Sequence, residues 1–406
     1  MNSRRISAGS VVRRACERGM TLIEMMVAVL ISMVLSLAIF AVLSSSEGFK
    51  RTTTSVNDIN QAGGYAMHTI DKWVRSAGSG FTQGAAYTFG CKVYAANAGG
   101  TVLPSASAAP APFDNINMGT AGEFRLAPVL IAPRQTTPGV SGQPSDALIV
   151  MAGSAGYGET PVDLADVPAA ATLPVSNIVS FNANDILLLA NRQGATGTLQ
   201  PCMVEQTSSV GASAGSVPLA GTYTSATIGA ASLTSMPLET SVMNLGNIAN
   251  NNPPMFLMIG VGVNNTLFSY DLLKTTTTPL LPIADGIFEM RALYGVDTDN
   301  NGTIDDWVDP YTSTTYSTTA LMAGTQTAST LLQSIKAIRV GLITRTSLLE
   351  KPLNGVPVGP ASLTLFSDIG GTFTAPAYTR SFTTTERQYR YRTIEMTIPL
   401  RNPMLL

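Results

Sequence analysis

The chain is 406 residues long, with 24 Lys and Arg against 26 Asp and Glu, a single His, and 12% charged residues, about half the roughly 25% of an ordinary soluble domain. At 45% hydrophobic and a formal charge of −2, it is neither a disordered chain nor a disulfide-stapled miniprotein, and it has no basic field with which to gather phosphates. Length alone is compatible with two or three domains; the 36 Gly, 24 Pro and long Ala/Ser/Thr tracts point to an extracytoplasmic protein rich in strands and loops.

The N-terminus has three chemically distinct zones. Residues 1–18 carry Arg4, Arg5, Arg13, Arg14 and Arg18 against one acid, Glu17, which keeps this end cytoplasmic by the positive-inside rule. After Gly19, a 24-residue apolar run from Met20 to Leu43 contains one ionisable side chain, Glu24. As a helix it spans about 36 Å, enough for a bilayer core of about 30 Å. A secretory signal has a shorter apolar stretch and a small-residue cleavage site, and neither is present. A simple anchor gives no reason for a carboxylate inside the run, where a charge costs roughly 2.5–3.5 kcal/mol near mid-membrane and less this close to the end.

Arg18-Gly19-Met20-Thr21-Leu22-Ile23-Glu24 resembles the class III signal of type IV prepilins and pseudopilins, with Met20 standing where the family usually has Phe. The resemblance implies cleavage by prepilin peptidase between Gly19 and Met20, N-methylation of Met20, and Glu24 as the fifth residue of the mature chain. Glu24 would then set register by neutralising the N-terminal amine of an adjacent subunit, two charges becoming tolerable as a pair. Cleavage removes five Arg and one Glu, leaving 19 basic and 25 acidic residues and a formal charge of −6.

Residues 44–80 read as an amphipathic stem. Ile59, Ala62, Ala66, Ile70, Trp73 or Val74 and Ala77 recur at helical spacing among interspersed charges. Gly48 and Gly63-Gly64 are expected to soften it, and the stem is expected to end near Gly78-Ser79-Gly80. His68, with no second His or Cys nearby, reads as an ordinary surface or packing residue. From Phe81 the pattern turns to short strands and long small-residue loops. Ala147–Ala152 and Asp185–Arg192 read as buried strands. Met255–Val263 and Thr266–Leu273 read as a hairpin about Asn264-Asn265. The alternation at Ile338, Val340 and Leu342, and at Ile394, Met396, Ile398 and Leu400, reads as half-buried strands, with a short helix over Thr327–Lys336. Residues 95–112, 207–236 and 311–326 read as loops or decorations.

Three late blocks, Asp285–Asp297, Ile338–Arg345 and Tyr391–Asn402, resemble the closing blocks of PilW-type minor pilins. The resemblance implies a low-copy pilin that takes part in initiating pilus assembly near the tip. Its partners would be prepilin peptidase, other minor pilins, the major pilin and a pilus-tip adhesin. It would lie first in the bacterial inner membrane, single-pass with a cytoplasmic N-terminus, and then in the pilus at the cell surface.

Cys16 lies in the leader, so Cys91 and Cys202 remain in the exported head. An even pair in an oxidising compartment favours a disulfide, the alternative being two separately buried thiols. Asp297, Asp299, Asn301, Thr303 and Asp305, with Gly302 for the turn, reproduce the first nine positions of an EF-hand-type Ca2+ loop. The closing Glu is absent, Val308 standing at position 12, so a plain Asp/Asn/Gly turn competes with calcium. One His, no Gly-x-Ser-x-Gly and no phosphate loop leave no catalytic constellation. The expected architecture is α+β: a cleaved leader (1–19), a transmembrane helix (20–43), an amphipathic stem (44–80) and a β-rich head (81–406). Two other readings share much of this pattern, a minor pseudopilin of a type II secretion system and a tip adhesin or binding module.

Overall fold

The computed structural model describes residues 19–120, 122–136, 144–155, 160–192, 198–209, 215–274, 280–352, 355–369 and 373–401. Residues 1–18, on which most of the leader reading falls, and Asn402 of the last block lie outside the described residues. The chain divides into two units, one ending at Thr54 and one running from Ser55 to Leu406. A long N-terminal apolar helix precedes a β-rich domain, an α+β arrangement.

Helix α1 runs from Leu22 to Ser76. Its residues up to Thr54 bury nothing apart from a partial covering of Thr52. From Ser55 onwards Ile59, Gly63, Ala66, Met67, Ile70 and Val74 are buried, the three- and four-residue spacing of an amphipathic face. Trp73 and Ala62 are half-buried, and His68 is exposed. The helix stops where Gly78 and Gly80 take positive φ, 82° and 84°, a conformation that favours glycine.

Short helix α2 (Ala85–Thr88) leads into β1 (Val93–Asn97) and β2 (Gly100–Leu103), then β3 (Val129–Ala132) and β4 (Ala147–Ala152). Next come β5 (Val162–Asp163), β6 (Thr172–Pro174), β7 (Asp185–Asn191) and β8 (Cys202–Gln206). They are followed by β9 (Ser216–Pro218), β10 (Thr227–Ile228), β11 (Ala231–Ser232) and β12 (Thr240–Asn247). The meander β13 (Met255–Val261), β14 (Leu267–Asp271) and β15 (Leu281–Ala284) precedes β16 (Ile287–Val296) and β17 (Asp306–Val308). Helices α3 (Thr318–Leu321) and α4 (Gln326–Ser334) lead to β18 (Ile335–Arg345), β19 (Ser362–Leu365), β20 (Tyr378–Ser381) and β21 (Tyr391–Pro399). Three larger sheets result, ordered β2-β1-β8-β7-β12-β5, β15-β14-β13-β4-β3 and β17-β16-β18-β21.

The first sheet separates two cores. Ile186, Leu188 and Ala190 of β7 enter the main one, and Leu187 and Leu189 enter a second with Met203 and Val217. A strand covered on both faces requires such an unbroken apolar run. Strand β4 pairs directly with β13, Ala152 opposite Met255. Residues 153–254, which carry β5 to β12, are therefore an insertion between two neighbouring strands.

Several details depart from the pattern reading. Strand β18 is covered on both faces rather than half-buried. Ile338, Val340 and Leu342 join the main core that contains Ala66 and Ile70, while Ala337 and Ile343 join Leu365 and Phe366 on the other side. The hairpin Asn residues do take positive φ, 59° and 57°, but β13 and β14 stop at Val261 and Leu267, so the turn is longer. Helix α4 yields to β18 at Ile335, two residues before its expected end. The presumed loops carry β2, β9, β10, β11 and α3, elements of two to four residues that are too short to leave a periodic signal.

The glycine pair differs most from expectation, because α1 continues through it as regular helix. A Cβ on Gly63 would lie 2.5 Å from Ile394 Cδ1 and 2.9 Å from Thr344 Cγ2, whereas one on Gly64 would meet nothing within 4 Å. Gly63 lets the helix approach β18 and β21; Gly64 faces open space. In urea unfolding of the full chain in detergent, Gly63→Leu is expected to destabilise by about 1–3 kcal/mol. Gly64→Ala is expected to be neutral or to stabilise by up to about 1 kcal/mol. Equal effects at the two positions would contradict this assignment.

Candidate functional site

Gly19 and Met20 are exposed and precede the first helical turn. The helix starts at a capping box. Glu24 Oε2 accepts from the Thr21 backbone amide and hydroxyl, each at 3.0 Å, and Thr21 Oγ1 accepts from the Glu24 amide at 3.3 Å. This reciprocal pair satisfies donors that a helix N-terminus leaves open, and an acid there suits the helix dipole. Both contacts to the carboxylate fall on Oε2. Downstream, Leu22 is 79% and Phe40 73% exposed, and the best window has a mean hydropathy of 2.9, so this stretch has the length and composition to cross a bilayer.

The acidic turn joins β16 to β17. Asp297, Asp299 and Asp305 each bring a carboxylate oxygen within 4.8 Å of the others. Asp297 is buried and accepts from the Asn301 and Gly302 amides at 3.1 and 2.9 Å. Thr298 donates its amide and hydroxyl to Asp305, at 2.7 and 2.8 Å, and these bonds hold the Asp305 carboxyl below the usual range. Asn301 Oδ1 accepts from the Thr303 amide at 2.8 Å. Neither nearby acid closes the ring: Asp306 accepts from the Thr374 amide and Asp309 from the Tyr311 amide. Val308, at the twelfth position, is buried in β17. Lys336 introduces an opposite charge; burial lowers its pKa while Asp297 pulls it up.

A buried ionic network, which the sequence reading did not anticipate, ties the sheets together. Arg291 lies 2.9 Å from Asp146 and 2.7 Å from Glu289, and Arg380 lies 3.3 Å from Glu289 and 2.9 Å from Glu386. Asp146 also accepts from the Ala292 and Arg134 amides, both at 2.9 Å. Burial pushes the Asp146 carboxyl up and Arg291 opposes it. The local signal was the alternation Glu289-Met290-Arg291 within the block Asp285–Asp297, but its partners lie far away in sequence.

A family model for the prokaryotic N-terminal methylation motif matches residues 14–45, and one for Type IV Pilus-assembly protein W matches residues 258–402. The chain is a type IV prepilin-like protein of the PilW type. It is thus a minor pilin of the type IV pilus, processed by prepilin peptidase, with pilins as its partners. Pilins of this kind are in general structural proteins rather than enzymes. Searches of curated proteins and of solved structures each returned no match. The PilW match begins in β13 and takes in the closing sheet and the ionic network apart from Asp146.

Outside the PilW match, Cys91 and Cys202 are fully buried and joined by a disulfide, with Cα atoms 5.7 Å apart and a sequence separation of 111. Three residues after Cys202 in β8, Glu205 is buried. Its Oε2 accepts from the Ser225 amide at 3.3 Å and its Oε1 has no hydrogen-bond partner among the described residues. Burial pushes this carboxyl from 4.5 up to about 8, the Ser225 bond pulling the other way. Because the folded pKa is raised, the native state keeps a proton that the unfolded chain releases. The contribution of Glu205 to stability is therefore greatest below pH 4.5, falls as pH rises toward about 8, and is then flat, with a slope approaching about 1.4 kcal/mol per pH unit. Urea midpoints at pH 5 and pH 8 should show this loss in the native PilW-type chain, and Glu205→Gln should reduce it.

Proposed function

We propose that this minor pilin takes part in initiating assembly of the type IV pilus and sits near its tip. In this reading residues 1–19 are a leader cut after Gly19, and Met20 is the N-methylated first residue. Residues 20–43 cross the inner membrane with the N-terminus cytoplasmic, residues 44–80 form the stem, and residues 81–406 form an exported head that performs no catalysis. The observation that carries the proposal is an uncovered apolar run, Met20 to Leu43, whose sole acid, Glu24, is held at the helix start by Thr21 through one oxygen. The other carboxylate oxygen is then available to the amine of a neighbouring subunit, and subunit packing supplies the covering that the single chain lacks.

Mass spectrometry of the mature protein should find N-methyl-Met20 at its start, and an unprocessed terminus would overturn the leader assignment. Deleting the gene should reduce surface pili and twitching while exoprotein secretion continues. The opposite pattern would favour a minor pseudopilin of a type II secretion system, and normal pili with lost attachment would favour a tip adhesin.

The proximity of the three carboxylates favours a second element, a Ca2+ ion held by Asp297, Asp299 and Asp305, with Asn301 and Thr303 supplying neutral oxygens as in EF-hand-type loops. Calorimetric titration of the full chain in detergent should give heat at millimolar calcium that Asp305→Asn removes. Absence of heat would leave the segment a plain turn.

A further inference from the structure

A cavity of about 360 Å³ lies between the segment from Asn97 to Phe124 and the strands β13 and β14. Its volume falls in the range of small-molecule sites, which favour junctions between structural units and combine apolar walls with a few polar groups. One wall belongs to the PilW-matched region and the other lies outside both matched regions. The floor is apolar and buried: Leu103, Phe113, Phe124, Met258 and Leu272.

Besides the neutral Asn97, Thr101, Ser105 and Ser107, three polar side chains line the cavity and set its chemistry. Tyr270 is 5% exposed and packs its ring against Phe113 at 6.5 Å between centroids. Its hydroxyl has no hydrogen-bond partner among the described residues, and burial together with Asp271 pushes its pKa up, so it is a persistent donor. Lys274 is largely exposed, with Nζ 3.7 Å from Asp271 Oδ2, beyond hydrogen-bond range. Asp114 supplies an exposed carboxylate in the same lining. One cation, one anion, one phenolic donor and an apolar floor form a complementary set for a particular kind of molecule.

We propose that this cavity binds a zwitterionic ligand of amino-acid size with a bulky apolar side chain. Lys274 and Tyr270 meet its carboxylate, Asp114 its ammonium group, and the floor takes its apolar body. The site lies wholly within the Ser55–Leu406 unit and is independent of where the subunit sits in a filament.

The probe is 4-fluorophenylalanine, observed by fluorine NMR with the full chain in lipid nanodiscs and empty nanodiscs as the blank. Saturable line broadening at millimolar probe is expected with the protein only. Tyr270→Phe, which removes one oxygen, should weaken binding by about two- to tenfold, the value of one hydrogen bond. Lys274→Gln should weaken the amino acid while leaving 4-fluorophenethylamine, which lacks the carboxylate, unchanged. Ala109→Trp, which adds an indole to the lining, should abolish binding; melting followed by circular dichroism establishes that each variant is folded. If Ala109→Trp does not fold, the other two variants decide. Broadening equal to the blank, or affinity untouched by Tyr270→Phe and Lys274→Gln, would overturn the proposal.

Discussion

An apolar helix with nothing to cover it is the constraint from which the rest of the molecule follows. Burying apolar surface is worth about 25 cal/mol per Å², and from Leu22 to Leu43 the chain buries none. Only two surroundings relieve that, lipid and the helices of other subunits, and a helix suits both because its backbone bonds are internal. The carboxylate near its start has a reason in each. Within one chain it caps the helix through Thr21; between chains its negative charge becomes tolerable once a cation lies beside it. The later turns of α1, from Ser55 onwards, belong instead to the unit that contains the head.

Within that unit the later turns are held by close backbone approach, and the sheets by buried charge. Gly63 lets the later turns of α1 contact Thr344 and Ile394, while Arg392 donates to Asn60 at 2.8 Å. Across the closing sheet, the Arg291 network fixes Ser145 and Asp146 along β16: Met290 donates its amide to Ser145 Oγ at 3.3 Å, and Ala292 donates its own to Asp146 Oδ2. Charges this deeply buried stabilise only when each one is answered. Here they reinforce the polar bonds that already cross between the two sheets, from the Asp146 amide to the Met290 carbonyl and from the Ile131 amide to the Tyr294 hydroxyl.

Much of this was legible in sequence where the cause is local. Thr21, Glu24 and the apolar run lie within a few turns of one another, and the spacing of Ile59, Ala66, Ile70 and Val74 is set by the helix itself. The runs in β4 and β7 announced burial because continuous apolar residues have no exposed face to offer. What failed depends on contacts distant in sequence. Gly63 looked like a softening residue because Ile394 is invisible from its own neighbourhood. The double covering of β18 depends on the β19–β20 hairpin, and the Arg291 network depends on Asp146 and Arg380. The cavity between β14 and the segment after β2 is likewise a product of packing.

The insertion explains how one head combines matched and unmatched sequence. Because β4 and β13 are hydrogen-bonded neighbours, residues 153–254 leave and return at adjacent positions in one sheet. The entropic cost of closing such an excursion grows only with the logarithm of its length, about 0.6 kcal/mol per doubling. A long insertion is therefore hardly dearer than a short one, provided it can bury a core of its own. The second cluster around Leu187, Leu189 and Met203 supplies that core, and the Cys91–Cys202 bond secures β8 to the segment that precedes β1. The strands that Gly63 touches, β18 and β21, both lie outside this insertion, so that close contact with the helix is made without it.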